Sequence, residues 1–140
     1  MKNIVAIALL MTSSTLFFQC SKTSEQKIAE AQESVKRDIQ KEKDDVAKDL
    51  RTLRDNINEK LDKVSKKLET AKDDSKVQLE ETKQNLITER DKVEKSLDEI
   101  DHAADDTWDD IQQRAKNTAS DVKVEFEKLG DKIEKAFDGK

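Results

Sequence analysis

The chain has 140 residues, of which 27 are Lys or Arg and 32 are Asp or Glu, so its formal net charge at pH 7 is −5. A net-acidic chain has no electrostatic attraction for nucleic acid, which excludes nucleic acid as an expected partner. One Cys, one His and two Gly leave no residues for a zinc site or a Gly-rich phosphate loop. We therefore expect a protein that is not an enzyme, with no cofactor, no metal and no small-molecule substrate.

The first 19 residues have the layout of an export signal. Lys2 supplies a positive charge, residues 4–11 are apolar, and residues 12–15 are small and polar. A membrane-spanning helix needs about 20 predominantly apolar residues, which this segment does not offer. We expect a cleaved signal peptide, with an uncleaved membrane anchor as the alternative.

The only cysteine, Cys20, ends the sequence Leu16-Phe17-Phe18-Gln19-Cys20. This arrangement resembles the N-terminus of bacterial lipoproteins, although the residues before the cysteine are bulkier than those typical of that family. The resemblance implies a signal peptide over residues 1–19, lipid such as palmitate on Cys20, and a short linker up to residue 24. Ser21 matches the family pattern that is released to the outer membrane, facing the periplasm. The alternative is an ordinary signal cleaved after residue 14 or 15, which leaves a free thiol on an exported protein.

The mature chain is predicted to be helical. Val, Ile, Leu, Phe and Trp number 25 in residues 21–140, close to the level at which chains fail to fold alone. Most of the remaining residues are good helix formers, and Pro is absent. The sequence therefore predicts an all-α protein, in which one or more long extended amphipathic helices cover residues 25–138 without a globular core.

Of the 25 large apolar residues, 22 fall on one face of a helix when successive residues are placed 100° apart. We call this face the apolar stripe; Val77, Ile87 and Val124 lie outside it. Its period is close to 11 residues, which is typical of straight helices and not of a left-handed supercoil. We predict that the stripe is an interaction surface, carried by Leu50, Leu53, Ile57, Leu61, Val64, Leu68, Leu97, Ile100, Trp108, Ile111, Val122, Phe126, Leu129, Ile133 and Phe137.

A row of exposed apolar side chains gains nothing from the hydrophobic effect, so the stripe should be covered. Self-association, a partner helix or a folded-back segment of the same chain could supply the cover. The membrane itself is expected to be contacted through the N-terminal lipid.

Two stretches weaken the predicted helix. Residues 72–75, Lys-Asp-Asp-Ser, interrupt the stripe and could form a bend or turn. Residues 98–110 carry seven acidic side chains and no basic one, and like charges one turn apart destabilise a helix. We expect a break near residues 101–107, with sub-helices 25–100 and 107–137. Because the stripe keeps its phase across both stretches, a sharp hairpin is not expected.

Glu99 and His102 have the Glu-x-x-His spacing that resembles half of a di-iron carboxylate site. Such a site needs two of these motifs and two further carboxylates, and this chain has one histidine. We expect a solvated acidic face here and no metal.

These features together predict a lipid-anchored, non-catalytic helical protein of the bacterial envelope that acts as a scaffold, spacer or interaction rod. Two alternatives remain open. The N-terminal lipid, striped helix and C-terminal Lys140 resemble Braun-type lipoprotein, which implies a covalent link from Lys140 to peptidoglycan. The 11-residue period resembles that of apolipoproteins and late-embryogenesis-abundant proteins, which implies a helix that orders on lipid.

Overall fold

The computed structural model describes residues 19–137, and all the elements in this part of the chain are helical. Helix α1 spans Gln19–Leu68, α2 spans Asp73–Asp101 and α3 spans Trp108–Phe137. A 3-10 turn at Asp105–Thr107 directly precedes α3. The prediction of an all-α protein is confirmed for the described residues.

The described residues divide into two units, with the boundary between Val35 and Lys36. In the first unit, residues 19–35 form the N-terminal part of α1, which includes the predicted linker at residues 20–24. Ile28 and Val35 are exposed there. The second unit contains the rest of α1 together with α2 and α3.

Helix α1 ends without Gly or Pro. Lys66 and Lys67 lie in its last turn, where positive charge is favoured by the helix dipole. The backbone N–H of Thr70 donates to the Lys67 carbonyl over 3.1 Å, and the Thr70 hydroxyl donates to the same oxygen over 3.3 Å. Lys72 is extended, with φ −79° and ψ 161°, and α2 begins at the next residue. The connection lies directly before the Asp-Asp pair at which the sequence suggested a turn.

Helix α2 ends inside the acidic stretch. The N–H groups of His102 and Ala103 donate to the carbonyls of Asp98 and Ile100, and the chain then leaves the helix. The break predicted near residues 101–107 is present, and α3 begins at Trp108. The break separates acidic groups that would otherwise repel each other along one continuous helix.

Residues 36–137 fold as an up-down-up bundle of three helices. At one end, Trp108 at the start of α3 is hydrogen-bonded to Glu42 of α1. Near the other end, the Lys67 ammonium lies 5.2 Å from the centroid of the Phe137 ring. Helices α1 and α3 are therefore parallel, and α2, joined to each by a short connection, runs in the opposite direction.

The expectation of an extended helix without a globular core is not confirmed, because the three helices bury the apolar stripe between them. The preserved phase of the stripe, from which no sharp hairpin is expected, is equally consistent with a bundle. In a bundle, the apolar face of every helix points to the same centre. Val77 and Val124, outside the stripe, are exposed, and Ile87 is half-buried. The buried apolar residues are Ala47, Leu50, Ile57, Leu61, Val64, Leu79, Leu86, Val93, Leu97, Ile100, Trp108, Ala115, Val122, Leu129 and Ile133.

Candidate interaction surfaces

The residues predicted to form the interaction surface lie in the core of the bundle or against it. Ten of them are buried: Leu50, Ile57, Leu61, Val64, Leu97, Ile100, Trp108, Val122, Leu129 and Ile133. Five are half-buried and pack against the core: Leu53, Leu68, Ile111, Phe126 and Phe137. In residues 36–137, the cover that the stripe requires is thus supplied by the chain's own helices.

A partly apolar groove runs between α1 and α3. Leu53 of α1 and Ala119 and Phe126 of α3 lie along it, and its volume is about 640 Å³. Asp49 and Lys123 are among the polar residues at its edges. The groove is open to solvent, and it could accept an apolar side chain but not enclose a small molecule.

A polar cluster joins the start of α3 to α1. The indole N–H of Trp108, whose side chain is buried, donates to Oε2 of Glu42 over 3.0 Å. The amide nitrogen of Gln112, one turn later, donates to the same oxygen over 2.9 Å. A buried indole N–H needs an acceptor, and Glu42 supplies it from the neighbouring helix.

Lys43 extends this cluster to the connection between α2 and α3. Its ammonium donates to the carbonyl oxygen of Ala103 over 2.6 Å and lies 3.9 Å from the carboxylate of Asp105. The same ammonium is 5.8 Å from the centroid of the Trp108 ring. One basic side chain of α1 therefore holds the connection by a hydrogen bond, an ion pair and a cation–π contact.

Helix α2 places three polar residues in the core at intervals of seven: Thr82, Glu89 and Ser96. Thr82 satisfies its hydroxyl within the helix by donating to the Gln78 carbonyl over 2.8 Å. Glu89 is only 7% exposed, and its Oε1 accepts from Lys92 over 2.8 Å. Its Oε2 is buried and has no hydrogen-bond partner in the protein. A buried carboxylate oxygen without a hydrogen-bond partner destabilises the fold, so Glu89 is an unfavourable feature of this core.

Glu99 and His102 do not form a shared site. His102 Nδ1 lies 2.8 Å from the Asp98 carbonyl oxygen and 3.3 Å from the Asp98 carboxylate, whereas Glu99 lies 3.6 Å from Arg114 of α3. The backbone hydrogen bond to Asp98, followed by the charge of its carboxylate, raises the pKa of His102. Among the described residues, no group of three or more His, Cys, Asp or Glu side chains is placed to hold a metal ion.

Ion pairs within single helices lower the pKa of two surface glutamates. The hydrogen bond from Lys63, and then its charge, lowers the pKa of Glu59. Lys128 acts in the same way on the pKa of Glu125. Both pairs are exposed, so they contribute to solubility and to local helix stability and do not define a reactive site.

The N-terminal predictions lie largely outside the described residues. The structure describes nothing of residues 1–18 and nothing of the Cys20 side chain, so lipidation and signal cleavage stay predictions. Within the part of the chain from residue 19 to residue 137, no helix has the length and apolar character needed to span a membrane.

Sequence reasoning missed Glu42, Lys43 and Glu89 as residues that contact other elements. A signal was present for two of them. Glu42 falls between Ile39 and Val46 in the phase of the stripe, and Glu89 falls between Leu86 and Val93. A carboxylate at an apolar position of a helix either has a polar partner on a neighbouring helix or keeps a buried oxygen without a partner. Glu42 is the first case, since it accepts from Trp108, and Glu89 is the second.

No protein-family model, no curated protein and no solved structure matches the chain. The class of the protein is therefore defined by its own architecture, which in the described residues is an all-α bundle of three helices. Within this bundle, polar contacts join Glu42 and Lys43 of α1 to the start of α3 and to the connection before it.

Proposed function

We propose that the protein is a lipid-anchored, non-catalytic component of a bacterial envelope, in which residues 36–137 are a helical module held at the membrane. The observation that carries the proposal is the position of Cys20, the only cysteine, directly after an apolar N-terminal segment. The fold is compatible with such a scaffold or spacer role, because the module has its own core and presents a charged surface.

Membrane attachment through Cys20 is tested by replacing Cys20 with Ala and fractionating cells. The expected result is that the wild-type chain sediments with membranes while the Cys20→Ala chain does not. Ser21→Ala is the matched control, since it changes the neighbouring residue and leaves the thiol in place. A Cys20→Ala chain that stays fully in the membrane fraction contradicts the proposal and favours an uncleaved anchor.

The mass of the mature N-terminus separates the remaining alternatives. A chain that begins at Cys20 and carries acyl groups supports the lipoprotein assignment. A chain that begins near residue 15 with an unmodified thiol shows an ordinary signal peptide instead.

A second candidate function, a tether between membrane and cell wall, is favoured by the direction of the helices. Because α1 and α3 are parallel, Phe137 lies at the end of the bundle opposite residue 36. A lipid before α1 and a covalent link at Lys140 would thus pull on opposite ends of the module. Recovery of a peptidoglycan fragment on Lys140 after envelope digestion tests this function, and a Lys140→Arg chain should lose the fragment while keeping its lipid.

The lipid-ordering alternative requires the stripe to leave the core and bind acyl chains. Circular dichroism of the protein with and without vesicles tests it. A large gain of helix on vesicles supports this alternative, whereas equal helix content in both samples contradicts it.

A further inference from the structure

The N-terminal part of α1 has an apolar face of its own. Ile28 and Val35 are 59% and 56% exposed, and Ala31 between them is also exposed. The spacing of three and then four residues places all three side chains on one side of the helix. With Ile28 and Val35 at position a of a heptad, Ala31 occupies position d.

We propose that this face pairs with the same face of a second copy of the chain, as a short parallel two-stranded coiled coil over residues 27–35. The proposal rests on the proposed lipid anchor, which lies at Cys20, at the start of this helix. Copies anchored through Cys20 enter α1 from the same membrane surface, so their helices point in the same direction and in the same register.

The side chains at the seam are suited to pairing with a second copy of the chain. Two-stranded parallel coiled coils favour β-branched residues at position a and Leu at position d. Ile28 and Val35 meet the first preference, and Ala31 stands in place of Leu at position d. Parallel pairing places Lys27 of one copy beside Gln32 of the other, so the flanking positions bring together no like charges and offer Lys27 an amide oxygen.

The seam is short, so we expect it to form only where the copies are concentrated. A standard stable interface buries about 1,600 Å² in total, far more than two large apolar residues from each copy can provide. Copies held on one membrane surface have a high effective concentration, which compensates for a weak contact. We therefore expect pairing in the membrane-anchored protein and a monomer in dilute solution after the anchor is removed.

Disulfide crosslinking in isolated envelopes tests the seam, with Ala31→Cys as the reporter and Ala29→Cys as the matched control. Both alanines are exposed in the same turn of α1, but Ala29 points away from the proposed seam. Under a mild oxidant we expect Ala31→Cys to form dimers several-fold faster than Ala29→Cys. Equal rates would overturn the proposal.

Second-site changes identify the side chains that hold the copies together. Ile28→Asp or Val35→Asp, added to Ala31→Cys, should abolish the excess crosslinking, whereas Val124→Asp should not. Val124 is 48% exposed on α3 and controls for loss of an exposed valine. Crosslinking at Val35→Cys is expected in parallel pairs only, because residue 35 then faces residue 35 of the other copy at position a. Its absence, with Ala31→Cys still reactive, would replace the parallel arrangement by an antiparallel one.

The unmodified chain separates failure of this proposal from failure of the lipid anchor. If Cys20 is lipidated, it has no free thiol, and the oxidant leaves the wild-type chain monomeric. If the wild-type chain itself forms disulfide dimers, the anchor proposal fails. The rates of dimer formation of Ala31→Cys and Ala29→Cys are then compared in a Cys20→Ser background at high protein concentration. Faster crosslinking of Ala31→Cys still supports the seam there, and equal rates still contradict it.

Discussion

Trp108 and Glu42 are 66 residues apart in the chain, yet the indole N–H of Trp108 donates to the Glu42 carboxylate over 3.0 Å. The contact fixes the register of α3 against α1 at the end of the bundle where the connection from α2 arrives. It also places the single tryptophan of the chain in a buried environment, where its fluorescence reports on folding.

Loss of this hydrogen bond should destabilise the bundle. We expect Glu42→Ala to lower the free energy of unfolding by about 1–2 kcal/mol, because the indole N–H is left buried without an acceptor. Trp108→Phe removes the donor and keeps most of the ring. The two changes together should therefore cost less than the sum of their separate effects. Urea unfolding followed by circular dichroism measures all three variants, and Glu33→Ala, an exposed glutamate of the same helix, is the control. Strict additivity would show that the two groups are not coupled.

The core predicts a large difference between two valines of α2. Val93 is fully buried and Val77 is 68% exposed. Val93→Ala should lower the free energy of unfolding by roughly 2 kcal/mol through lost burial and the cavity left behind. Val77→Ala should stay within about 0.5 kcal/mol of wild type, as is usual for surface changes. The comparison keeps the chemistry and the helix constant, so equal thermal melts would mean that the stripe is not buried in solution.

Removal of the orphaned carboxylate should stabilise the protein. In Glu89→Leu, an apolar side chain replaces a buried group whose Oε2 has no partner, and Lys92 is exposed enough to be solvated alone. We expect a gain of about 1–3 kcal/mol, the usual cost of one unsatisfied buried group. Glu80→Leu, at an exposed position of α2, is the control and should change little. A Glu89→Leu variant less stable than wild type would show that Glu89 is satisfied in solution, for example by bound water.

His102 gives the bundle a pH dependence of defined sign. Its pKa is raised above its ordinary value near 6.5, first by the hydrogen bond to the Asp98 carbonyl and then by the Asp98 carboxylate. Its contribution to stability is therefore fully present below about pH 6.5 and is lost as the pH rises through the folded-state pKa. An NMR titration of the His102 ring should give a pKa above that of a free histidine. Asp98→Asn should remove the part of the shift that comes from charge and keep the part from the backbone bond, and an unchanged pKa in that variant would contradict the assignment.

The sequence was sufficient for the helical conformation and for the apolar face, because amphipathic periodicity is local and survives in any arrangement that buries it. The single helix expected over residues 25–100 is two helices, with a connection at residues 69–72. The break before Trp108 was also predictable, since seven acids without a base disfavour a continuous helix. The reversal of chain direction between α1 and α2 was not predictable from periodicity. The turn after Leu68 contains neither Gly nor Pro, and the decision between a rod and a bundle depends on long-range burial that period alone does not encode. The position of Glu42 in the phase of the stripe marks it in the sequence, but its contact with Trp108 was not predictable, because that contact depends on the register of α1 against α3.

The parallel course of α1 and α3 has a mechanical consequence. The bundle is entered at residue 36 and left at Phe137, at opposite ends of helices about 45 Å long, as follows from the 30 residues of α3. A force applied between these two points acts along the helix axes and loads the interhelical contacts in shear, so that many side chains must slip together. If the chain entered and left at the same end, the same force would peel the helices apart one turn at a time. We therefore expect the up-down-up order to resist extension along the helix axes better than an order in which the chain enters and leaves at the same end.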